Sequence, residues 1–286
     1  MSEAGGIFAF VQFEFGFLLG PPDGRFISRQ GPETAPDRVL VFATLGAPER
    51  RQMRGRRGAV VSDAEPEPVP TSRVTAIRPE RFSDRADAEG WLEALREDAT
   101  QPGSEVADAV GVINRAMHAH RVARIDHCAR DISADQALVV RLGFGAGEAV
   151  VKGHYGVAWE LPRETRGRVR RSMEAPEERF AALVGAREPV LVCEELVLRA
   201  RTDLDAGRFR EAALQARVAL ESLLSELDET ALGDRRAELE VDRGAIGKAA
   251  NVALRGALDS ECSERVEGAV ARMEAALRIR RLDSAS

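Results

Sequence analysis

Lysine is almost missing from this chain, with only Lys152 and Lys248 among 41 basic residues, an arginine bias that reflects coding composition and says nothing of function. Cysteine is scarce as well. Cys128, Cys193 and Cys262 are odd in number and scattered, which fits reduced, mostly buried thiols better than a disulfide framework. No long apolar run is present: the stretch from Ile7 to Leu19 falls short of the roughly 20 residues a membrane span needs and carries Gln12 and Glu14. No positive residues precede it as they would in a signal peptide, so a cytoplasmic protein without a membrane partner is expected. An excess of positive charge is also lacking. The net charge of -6 arises from 41 basic and 47 acidic residues that are interspersed, which disfavours a general nucleic-acid-binding role.

What is present is enough to build a core, since 44% of the 286 residues are apolar. The first eighty residues read as β-rich. Phe8 and Phe10 sit on one parity and Phe13, Phe15 and Phe17 on the other, so a strand burying both sets is expected to carry a bulge near Val11 and Gln12 or to split in two. Gly20 to Gly24 is a strong turn signal that predicts Arg25 to Arg29 as a returning partner strand. Val39 to Leu45, apolar on both parities apart from Thr44, predicts the middle strand of the sheet. The cluster Arg50, Arg51, Arg54, Arg56 and Arg57 and an exposed acidic, proline-rich loop at 62–70 follow, then a strand from Arg73 to Arg78.

Helical spacing from Ser83 to Asp98 and again from about Ser104 through Val106, Val110, Ile113 and Met117 predicts two helices that cover the sheet. Alternation returns at Leu138, Val140, Leu142 and Phe144 and again at Val151, Tyr155, Val157 and Trp159, which predicts a hairpin closed by Gly145 to Gly147 and ended by Pro162. After Pro189 the pattern is helical to the end. The fold class expected is therefore α+β: an N-terminal antiparallel sheet domain with covering helices at 1–162, an Arg-rich linker at 163–188 holding Arg163, Arg166, Arg168, Arg170 and Arg171, and a helical bundle at 189–286.

Within the last region, Leu204, Gly207, Arg208, Phe209, Ala212, Ala219 and Leu220 read as one helix, a tight turn and a second helix folded back. This spacing resembles a single tetratricopeptide repeat over residues 190–228, without the proline that usually closes one and without a second copy. The resemblance implies binding of a peptide or protein. Phe209 is expected to be a buried anchor between the two helices.

The densest group of reactive side chains is His118, His120, Asp126, His127 and Cys128, which are the candidate catalytic residues. Residues two apart on a helix point some 200° apart, so His118 and His120 cannot both face one metal while the helix continues, and no metal site is expected. Arg115 and His120 are spaced as in the helical nucleases called HEPN domains, which they resemble in that pair alone; the pair lies between sheet segments, and the helical region that looks more like such a domain holds no histidine. Gly143, Gly145 and Gly147 invite comparison with a phosphate-binding loop. With no Walker lysine and no helix expected after them, they predict a tight turn and no nucleotide cofactor.

The function expected is a non-catalytic cytoplasmic interaction or scaffold protein that binds a protein partner through 189–286, with no cofactor and a nucleic acid disfavoured. The alternative is an RNA-cleaving or metal-dependent hydrolase centred on residues 118–128.

Overall fold

A computed structural model describes residues 6–31, 33–46, 70–98, 100–162 and 175–283. The Arg cluster at 50–57, residues 62–69 of the acidic loop and the arginines at 163–171 lie outside these residues. The chain divides into two compact units, Met1–Thr165 and Arg166–Ser286. An antiparallel sheet makes up the first and a set of helices the second, an α+β protein. No helix among the described residues is long and apolar enough to cross a membrane.

The first unit holds β1 (Ile7–Phe15), β2 (Gly24–Ser28), β3 (Arg38–Leu45), β4 (Thr71–Arg81), α1 (Arg85–Glu97), α2 (Gln101–Arg124), β5 (Ala137–Ala146), α3 (Gly147–Val151) and β6 (Val157–Glu160). Six strands lie in the order β2-β3-β4-β1-β5-β6, with every pair antiparallel. The central place thus goes to β1 and β4 and not to Val39 to Leu45, and β2 pairs with β3 instead of returning along β1. The reason is burial. Val11, Phe13 and Phe15 face a core closed by Leu92, Ile113 and Met117 of the two long helices. Phe10 lies on the opposite face, in a smaller cluster with Val41, Ile77 and Val150. Both aromatic parities are therefore buried by one continuous strand, which only an interior position allows, whereas β2 is largely exposed and can stand at the edge.

No bulge falls at Val11 and Gln12. Register shifts occur instead between Phe8 and Phe10 against β4 and between Glu14 and Phe15 against β5. Gln12 is buried in the middle of β1 because its amide is satisfied: Nε2 donates to Thr75 Oγ1 at 3.0 Å and Oε1 accepts from Arg141 at 3.4 Å. The two helices do cover the sheet, α1 against β1 and β5 and α2 against β1 and β4. Asp84 caps α1 by accepting from Asp87 N at 2.9 Å.

The second unit holds α4 (Ala175–Val184), α5 (Val192–Asp205), α6 (Phe209–Glu226), α7 (Glu229–Leu232), α8 (Arg235–Ala253) and α9 (Ser260–Asp283). α4 falls inside the stretch read as linker and is held to the start of α5 by Arg179, which bonds Glu188 and Glu194. α5 packs on α6, α6 on α8 and α8 on α9, around Val197, Leu220, Leu223, Ile246, Val270 and Met273. Gly207 makes the turn between α5 and α6 at φ 69°, a left-handed conformation that a side chain resists. Ala212, Ala213, Ala216 and Ala219 are fully buried and let the helices approach.

Phe209 is not the anchor expected. It is the first residue of α6 and 42% exposed, because the close contact is made by the alanines one turn and more beyond it.

Candidate functional site

α2 carries two of the five sequence candidates, His118 and His120, and leads to the other three, Asp126, His127 and Cys128. His118 Nδ1 lies 2.8 Å from an Arg121 nitrogen one turn along the same helix. His120 meets the backbone at Gly20, where a Cβ would sit 3.1 Å from its Nε2, so the glycine makes room for the ring. The helix ends at Arg124, and Ile125 takes a left-handed φ of 53° that reverses the chain into the turn holding Asp126, His127 and Cys128.

In that turn the Asp126 carboxylate accepts from the Cys128 N–H at 2.9 Å, and Cys128 Sγ lies 3.5 Å from His127 Nε2. The potential ligand atoms of these three residues lie within 4.8 Å of one another, the one such group among the described residues. The structure thus groups three of the five candidates; His118 and His120 are not members of that group, and His127 and Cys128 are exposed.

Arg115 and His120 do share a feature that the sequence does not announce. Together with Ala116, Ala119 and Ala123 they form one wall of a pocket of about 430 Å³, whose other walls come from the segment at Pro21 and Pro22, from β2 and from β3. Arg115 is not free for chemistry, because its guanidinium is tied to Asp37 in an ion pair and to Ser28 Oγ at 3.3 Å. The signal for the pocket was small residues three, four and seven apart on α2, legible only once the opposite wall is known.

The glycines at 143–147 serve packing. A Cβ on Gly143 would lie 2.5 Å from the Val157 carbonyl oxygen, so the close pairing of β5 with β6 requires glycine there. A helix does follow, contrary to expectation: α3 joins the two strands. It is five residues long, and its first turn carries Glu148, which Arg25 binds at 3.0 and 3.2 Å. The hydrogen bonds and charge of Arg25 hold the Glu148 carboxyl below its ordinary pKa. A carboxylate at that position disfavours phosphate.

In the second unit the prominent surface feature is on α8. Its inner face buries Leu239, Asp242, Ile246, Ala249, Ala250 and Ala253. Asp242 is satisfied by a two-pronged pair with Arg272 at 2.6 and 2.7 Å, which raises the pKa of the guanidinium. The outer face lines an open groove of about 770 Å³ bordered by Arg243, Gly244, Gly247, Lys248, Asn251 and Arg255. Arg243 is engaged by Glu221 of α6 at 2.7 and 2.9 Å. Lys248 and Arg255 are exposed and have no ion pair among the described residues. A Cβ added to Gly244 or Gly247 would meet nothing within 4 Å.

No protein-family model, no curated protein and no solved structure matches the chain.

Proposed function

We propose that this is a cytoplasmic interaction protein whose C-terminal helices bind an acidic segment of a partner protein along the outer face of α8. The observation that carries this reading is the groove on that face: helix backbone at Gly244 and Gly247 without side-chain cover, flanked by Lys248 and Arg255, cations with no ion pair among the described residues. Glycine inside a helix costs about 0.5–1 kcal/mol relative to alanine, and neither a positive φ nor a crowded neighbour calls for it at these two positions. A surface that forgoes that stability gains an approach to the backbone from outside.

The groove is broad and shallow, which suits a chain that needs contact on one side better than a small molecule that must be enclosed. Its charge selects the partner. Lys248 and Arg255 attract carboxylates, while Asn251, which accepts from Arg217 at 3.2 Å, keeps an amide at the surface between them. The hairpin formed by α5 and α6, with its likeness to a tetratricopeptide repeat, supports the same reading by analogy. The hydrolase alternative keeps only the group Asp126, His127 and Cys128 as its support.

The test is fluorescence polarisation of the full chain against a labelled glutamate-rich peptide and, as control, a single-stranded oligonucleotide of similar net charge. Saturable binding of the peptide that weakens by at least about tenfold in Lys248→Glu/Arg255→Glu is the expected result. Peptide binding that ignores the double substitution, or tighter binding of the oligonucleotide, would overturn the reading.

A further inference from the structure

We infer that the pocket between α2 and the β2–β3 edge of the sheet binds a small apolar carboxylate, an aromatic or aliphatic acid. The site lies in the first unit and does not depend on the α8 groove. Its origin is visible in α2: Val106, Ile113 and Met117 reach the sheet and close the core, whereas Ala116, Ala119 and Ala123 leave the space unfilled. The resulting volume of about 430 Å³ falls within the range of small-ligand sites, roughly 300–1,000 Å³.

The opposite wall is apolar and uncovered. Phe26 and Phe42 meet edge to face with ring centroids 6.0 Å apart, and Phe26 and its neighbour Ile27 are 42% and 61% exposed. The Phe26 ring, half in solvent beside the cleft and backed by the buried Phe42, offers a flat surface for an apolar body.

The polar side of the pocket fixes the sign of the ligand's charge. Arg29, Arg115 and His120 line it, and no aspartate or glutamate does. Asp37 neutralises Arg115 in an ion pair that leaves both Arg115 Nε and Asp37 Oδ1 buried and out of the ligand's reach. Arg29 donates to the Thr34 carbonyl at 2.6 Å and has no ion pair among the described residues. One uncompensated guanidinium, that of Arg29, beside an apolar wall matches a carboxylate on an apolar body, while an amine would meet like charge.

Calorimetric titration of the full chain with naphthalene-2-carboxylate, and with naphthalene-2-methanol as the neutral analogue, tests this. The expected result is one saturable site per chain for the acid, with the alcohol at least about tenfold weaker. Ala119→Glu puts a carboxylate on an exposed wall position and should weaken acid binding by at least about tenfold, and Phe26→Ala should weaken both probes severalfold. Circular dichroism checks that each variant is folded, and because Phe26 is already 42% exposed its removal keeps the test valid should Ala119→Glu unfold. No saturable binding of the acid at millimolar concentration, equal affinity for the alcohol, or binding untouched by Phe26→Ala would overturn the inference.

Discussion

Arg179 on α4 grips Glu194 on α5 through one guanidinium nitrogen that lies 2.7 and 2.9 Å from the two carboxylate oxygens, and its Nε reaches Glu188 at 3.1 Å. Burial works against the charge on Arg179, but the hydrogen bonds to Glu194 and Glu188 outweigh it and raise the pKa of the guanidinium. With side-chain exposures of 18% and 6% the pair is largely dry, so removing Arg179 takes the counter-charge away from a buried carboxylate that keeps the Leu191 N–H at 3.2 Å. Arg179→Ala should cost about 2–3 kcal/mol, toward the low end for a buried pair because the arginine keeps some solvent. Chemical denaturation of the variant checks this, and proteolysis within α4 should quicken with it.

That pair also shows where sequence reading stopped. Residues 163–188 are rich in arginine and read as linker, because charge density alone cannot reveal that Arg179 meets two carboxylates, Glu188 nine residues downstream and the buried Glu194 fifteen residues downstream. Elements whose burial is periodic were legible: the strands from Ile7, Arg38, Thr71 and Ala137 and the helices from Arg85, Val192, Phe209 and Arg235. Strand order was not. It depends on which strands can bury both faces, and the pairing of β1 with β5 joins residues over a hundred positions apart. Of the candidate site, Asp126, His127 and Cys128 converge while His118 and His120 do not, and the pocket escaped notice because its walls are alanines on α2 and aromatics some 75 to 95 residues earlier on β2 and β3.

The corrected place of Phe209 changes the consequence of its removal. At 42% exposure Phe209→Ala should cost about 1–2 kcal/mol, whereas Leu223→Ala, in the dry centre of the same helix, should cost about 2–5 kcal/mol. Gly207→Val should be damaging even though nothing lies within 4 Å of the added Cβ, since a β-branched residue resists the left-handed φ. Thermal melts of the three variants rank them.

Gly143→Ala should destabilise the first unit by about 1–3 kcal/mol, because its Cβ would press on the Val157 carbonyl oxygen at 2.5 Å and the Ala158 Cα at 2.9 Å. Gly156→Ala, with open space around it, is the control expected to melt close to the wild type. Equal melts for both would mean that β5 and β6 do not pair this closely.

Asp259 precedes α9, accepts from the Cys262 N–H at 2.7 Å, and has its pKa lowered chiefly by that backbone hydrogen bond. A carboxyl whose pKa is lower in the folded chain contributes stability above its unfolded pKa and loses that contribution as pH falls through the folded value. Asp259→Ala should therefore melt below the wild type at neutral pH, and the gap should close in acid below the carboxylate range. The pairing also raises the pKa of the Cys262 thiol, first through its hydrogen bond to Asp259. Slower alkylation of Cys262 in the wild type than in Asp259→Ala near neutral pH checks that contact.

Gly244→Ala and Gly247→Ala separate stability from binding. Each should stabilise the folded chain by about 0.5–1 kcal/mol through helix propensity, yet weaken capture of an acidic peptide, because a methyl group then stands where the partner approaches the backbone.

A backbone amide chemical-shift map of the full chain, titrated with the glutamate-rich peptide, tests the central claim most directly. The account predicts saturable shifts clustered at Gly244, Gly247, Lys248, Asn251, Val252 and Arg255, shrinking as salt screens the cations. Shifts centred on residues 6–162, or none at α8, would contradict it.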